Sequence, residues 1–172
     1  NVSNPAQVVI TVNSVNDVPT LTVDANSSSA ASNGNYQTVY IEKSVAVSVT
    51  DTDVAINDAN ENDLVSLKIA VTGVISSYEE ILTVAGHAFP LNQSVITPVT
   101  VAMGSITGAI SYDATTKVFT ITHAVINNTL PKADIEALIK DIQYQHTGAN
   151  PTAGDRILTF TIADNANAVS TP

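Results

Sequence analysis

The residues whose placement suggests a chemistry are carboxylates. Asp17, Glu42, Asp51, Asp53 and Asp164 each fall at the edge of a run that reads as a β-strand, with few basic residues close by. Calcium takes about six to eight oxygen ligands from carboxylates, amide carbonyls and water, and loops gathered at one end of a sandwich can supply them. In Asp51-Thr52-Asp53, strand alternation puts both carboxylates on one side, where they repel unless a cation lies between them. The run Asn57 to Asp63 (NDANEND) offers Asp58, Asn60 and Asp63 as a second metal cluster, but it lacks the glycine and spacing of an EF-hand loop. The competing reading is plainer: both runs are solvated acidic loops, and Asp164-Asn165 is an ordinary turn.

Other chemistries find less support. His87, His123 and His146 are scattered without paired metal-ligand spacing, and no G-x-S-x-G elbow or glycine-rich phosphate loop is present. Glu79 and Glu80 are adjacent, so on a strand they point to opposite faces and cannot flank one bond; a solvated turn is the better expectation. Arg156, the only arginine, is expected to pair with a carboxylate near the turn Asn150 to Asp155 (NPTAGD). With no cysteine, disulfides, thiolate metal sites and cysteine nucleophiles are excluded. No enzyme is indicated.

Charge and length narrow the partners. There are 16 Asp and Glu against 6 Lys and Arg, a net charge of −10, which disfavours nucleic-acid phosphate as a partner and favours divalent cations. At 172 residues and 44% hydrophobic, the chain can bury the core of one domain. No apolar stretch is long enough to span a bilayer, so direct membrane insertion is not expected. The chain opens on Asn1 rather than methionine and reads as a piece of a longer protein.

The elements that must position these groups follow from apolar periodicity. Gln7–Val12, Thr20–Val23, Val39–Val49, Leu64–Val71, Ile81–Val84, Val99–Ala102, Val118–Ile121, Ile142–Gln145 and Ile157–Ile162 alternate or run apolar over strand lengths. Many short β-branched strands joined by polar turns predict an all-β sandwich. One helix is predicted over Asp134–Lys140, where Ile135, Leu138, Ile139 and Ile142 recur at helical spacing behind Pro131. Residues 24–38 carry too little apolar surface to offset ordering entropy and are expected to form a mobile loop.

At Ser14 to Leu21 (SVNDVPTL) the chain resembles the inter-repeat junction of bacterial cadherin-like tandem repeats, found in large repetitive surface adhesins of the RTX type. Residues 134–165, with a short helix, a strand, an N-P-T-A-G-D-R turn and a strand ending in Asp, resemble the closing third of such a repeat; VSVTDTD at 47–53 adds to the likeness. Residues 74–106 carry no such resemblance. The resemblance implies a cadherin/immunoglobulin-like Greek-key sandwich. It makes Asn16 and Asp17 junction ligands, Glu42 a ligand from the first long strand, Asp51 and Asp53 a D-x-D pair and Asp164 a ligand from the penultimate strand. Residues 1–13 then read as the last strand of a preceding repeat, 14–19 as a junction, and 20–172 as a domain lacking its own last strand. Gln7–Val12 is accordingly expected to pair with the strand at Leu158–Ile162, within the molecule or with a neighbour.

The function so implied is that of a calcium-stabilised extender or adhesion domain at the bacterial cell surface, flanked by repeats of the same chain. The alternative is a ligand-binding module near an adhesin tip, taking a cell-surface glycan or protein through Tyr78, His87, Phe89 and Tyr112. Those four residues have a competing reading as strand-face packing.

Overall fold

A computed structural model describes residues 1–61, 63–74 and 78–171 of the chain. Asn62 of the acidic loop and residues 75–77 of the stretch without resemblance lie outside the described residues. The strands are β1 (Thr20–Thr22), β2 (Val47–Ser48), β3 (Ala55–Asn57), β4 (Asp63–Thr72), β5 (Glu80–Val84), β6 (His87–Pro90), β7 (Val95–Met103), β8 (Ile106–Asp113), β9 (Val118–His123) and β10 (Leu130–Pro131). Helix α1 (Lys132–Lys140) follows, then β11 (Gln143–His146) and β12 (Ile157–Asp164). The protein is an all-β sandwich with one short helix.

One sheet runs β12-β4-β9-β8-β7, with β10 alongside the start of β4, and the other runs β2-β11-β5-β6. All pairings are antiparallel. Period-two alternation is the cause: Leu67, Ile69 and Val71 of β4, Leu82 and Val84 of β5, Ile110 and Tyr112 of β8, and Phe160 and Ile162 of β12 all point inward and are buried. Phe119 lies at the centre, stacked on Tyr112 at 4.2 Å and edge-on to Phe89 of the other sheet at 5.4 Å. Between β5 and β6, Ala85 and Gly86 take successive positive φ values of 50° and 73°, the conformation of a tight hairpin turn matched to strand twist. Helix α1 begins after Pro131 and buries Ile135, Leu138 and Ile139, the face its spacing predicts.

Three expectations are revised. Gln7–Val12 forms no strand: Val8, Val9, Ile10 and Val12 are 81–87% exposed and, among the described residues, pair with nothing within the molecule. An alternating pattern supplies one apolar face, yet a strand also needs a neighbouring edge to take its backbone hydrogen bonds. Val39–Val49 shrinks to β2, because Val39, Ile41 and Val45 stay exposed in a loop. Residues 24–38 hold no strand or helix, but they are tied down, with Val23 N and Asp24 N donating to Gly34 O at 2.9 and 3.2 Å. Hydrogen bonds do there what apolar burial cannot.

Candidate metal centre

The acidic residues are arranged by a small ribbon of two strands. β1 and β3 pair with Thr20 opposite Asn57, Leu21 opposite Ile56 and Thr22 opposite Ala55. Continued past both ends, that register sets Asp24 against Asp53 at one end and Asp17 against Asn60 at the other. At the first end, Asp24, Asp51 and Asp53 bring one carboxylate oxygen each within 4.8 Å of one another.

Backbone amides hold this triad together. Asp24 is fully buried; its Oδ1 accepts from Ser28 N and its Oδ2 from Ser29 N, both at 2.9 Å. Asp53 reaches across to accept from Ala25 N at 3.0 Å and Asn26 N at 2.8 Å. Asp51 accepts from Ser28 Oγ at 2.5 Å and Thr52 N at 2.6 Å. Burial pushes the Asp24 carboxyl upward, but hydrogen bonds from Ser29, Ser28 and Ser27 outweigh it and leave the group below its ordinary value of 3.8. The Ser28 hydroxyl and the Thr52 amide likewise lower Asp51, against burial and the repulsion of Asp24. Asp24 and Asp51 are therefore poised as anions.

Helix α1 fixes the segment that carries two of them. Thr50 Oγ1 donates to Ile139 O at 3.2 Å, and Ile56 N donates to Glu136 Oε1 at 2.7 Å. Between these anchors Val54 is buried, so Asp51 and Asp53 project from a chain pinned on both sides.

The other proposed ligands lie elsewhere. Asp17 and Asp24 lie seven positions apart along near-extended chain, on the order of 20 Å, so no ion at the triad reaches Asn16 or Asp17. There, Asn16 Nδ2 donates to Asp164 Oδ2 at 2.7 Å, Asn60 Nδ2 donates to Asn16 Oδ1 at 3.0 Å, and Asp17 N donates to Asn60 Oδ1 at 3.1 Å. The buried Asp164 also accepts from Ala168 N at 2.8 Å, closing the turn after β12. Glu42 is half-exposed beside Lys43 and joins neither group. The structure thus divides one expected cage into two separate clusters.

The second candidate cluster already has a cation. Lys132 Nζ donates to Glu61 O at 2.6 Å and Asp58 O at 3.3 Å, filling the mouth of the loop with an ammonium. Asp58 Oδ1 accepts from the amides of Asn60 and Glu61, and Asp63 accepts from Thr129 Oγ1 at 2.7 Å.

Asp24 is absent from the acids that spacing singles out. It directly follows Thr20–Val23, the same strand-end position as the others, but the polar run after it masks that signal. Sequence reading also misplaces Glu80, which is buried rather than solvated, because Arg156 Nη2 donates to its Oε1 at 2.7 Å while Arg156 Nη1 holds Gly154 O at 2.7 Å. Among the contact residues of the ligand-binding alternative, Phe89 and Tyr112 are core, with Tyr112 Oη donating to Leu91 O at 3.0 Å, while Tyr78 stays exposed.

An acidic triad of this kind can hold a metal ion. Three hard carboxylates suit a hard cation, and each oxygen that accepts one amide proton keeps a lone pair for a metal. Among the described residues, no lysine, arginine or histidine makes an ion pair with any of the three. Searches of family models, curated proteins and solved structures find no match. The adhesin-repeat resemblance therefore rests on its motifs alone. No helix among the described residues is long and apolar enough to cross a membrane.

Proposed function

We propose that the chain is a calcium-stabilised structural domain of a bacterial surface adhesin, acting as an extender between neighbouring repeats. The observation that carries this reading is the convergence of Asp24, Asp51 and Asp53 without a paired base. Three like charges at this spacing repel one another, and a divalent cation removes that repulsion while taking further oxygens from water and loop carbonyls. Bound only by the native state, it stabilises the fold by mass action. It also locks the loop at 24–29 to the segment at 51–53, stiffening one end of the sandwich.

The test is a thermal melt in chelator, in calcium and in magnesium. Calcium at a hundredfold excess over Kd is expected to add about 2.7 kcal/mol, raising Tm by about 5–10 °C, with magnesium giving little. Asp53→Asn is expected to abolish the rise, whereas Asp17→Asn, at the far end of the ribbon, leaves it intact. Equal melting in chelator and calcium sinks the reading.

A further inference from the structure

One side of the sandwich is open. Between β2 and β12 lies a groove of about 910 Å³, walled by Val47, Val49, Tyr144, Leu158 and Phe160 and by the loop carrying Val39. β12 pairs with β4 on one edge only. On its other edge, Ile162 N donates to Ser170 Oγ at 3.1 Å and Ile162 O accepts from Ser170 N at 2.9 Å. Backbone groups two residues apart along a strand point the same way, so Leu158 and Phe160 also turn their N–H and C=O outward. Among the described residues neither has a partner there. Native edges are commonly blunted by charge or proline, yet Ile157–Thr161 carries neither.

The chain also contains the piece such an edge accepts. In Gln7–Val12, Val8, Ile10 and Val12 form one apolar face, exposed and unpaired. Residues 1–13 include no charged side chain in a molecule of net charge −10, so their approach to a second acidic copy meets little repulsion. Val8–Val12 matches the open stretch Ile157–Thr161 residue for residue in length. Within its own molecule the segment stays exposed and is not seated on that stretch. Asn16 is held at Asp164, and Val169 and Ser170 already occupy the adjoining edge at Ala163 and Ile162.

We propose that residues 8–12 of one copy add as a strand to the outer edge of β12 in a second copy. Val8, Ile10 and Val12 then fill the groove, and the amides and carbonyls of Leu158 and Phe160 gain backbone partners. This holds whether or not the acidic triad binds metal.

The experiment is sedimentation of the 172-residue chain over a wide concentration range, in chelator and at physiological salt, beside the Ile10→Asp variant. Ile10 is exposed, so the variant leaves the fold untouched. The expected result is a mass that rises with concentration for the wild type and stays monomeric for the variant. A synthetic peptide of residues 1–13 added to the variant is then expected to slow hydrogen exchange at the Leu158 and Phe160 amides. A wild type that stays monomeric throughout, a variant that associates equally, or protection of those amides in the monomer at every dilution each overturns the proposal; the last would mean the segment closes on its own molecule.

Discussion

Asp24 and Asp51 make the pH response of this protein legible. Both carboxyls sit below their ordinary value of 3.8 in the folded state, so the stability they contribute is fully present above about pH 4. It is lost as pH falls through their folded-state values. In chelator, the urea midpoint is expected to hold from pH 7 to pH 5 and to drop below pH 4, with Asp51→Asn flattening that drop. Arg156 acts on a different part of the molecule. Its guanidinium is held above its ordinary value chiefly by the hydrogen bond to Glu80, and Glu80 is fully buried. Arg156→Ala takes the counter-charge from a buried carboxylate, a change that costs about 3–5 kcal/mol. Urea unfolding is expected to show that loss as a lower midpoint at unchanged slope.

At the scale of elements, the acidic triad depends on a helix that bonds the chain on either side of it. α1 accepts from Ile56 N through Glu136 and from Thr50 Oγ1 through the carbonyl of Ile139, so it clamps the chain on both sides of Asp51 and Asp53. Glu136→Ala leaves the Ile56 amide without its acceptor and is expected to cost about 1–3 kcal/mol, read as a lower urea midpoint. The helix itself was plain in the sequence, since Ile135, Leu138 and Ile139 repeat at helical spacing and are the residues it buries. That Glu136 reaches β3 was not, because the two residues it joins lie 80 positions apart. Strands β3 and β6 were also missed, being too short for alternation to stand out, and so was β8, whose eight residues lie outside every run read as a strand.

For the whole molecule, a net charge of −10 sets two effects of salt that experiments can separate. Sodium chloride screens general repulsion and is expected to raise Tm modestly in the wild type and in Asp53→Asn alike. Calcium at matched ionic strength is expected to add a further rise in the wild type only. The sequence by itself determined the fold class, the inward faces of the long strands other than β8, the helix and the gathering of acids at strand ends. Each follows from local periodicity, which a run of several residues already contains. Only the tertiary structure decided which acids meet. The β1–β3 register sets Asp24 against Asp53 and carries Asp17 to the opposite end, and register is a relation between segments more than thirty residues apart. It also left Gln7–Val12 bare despite its strand-like pattern, because a strand exists only where a second backbone offers an edge.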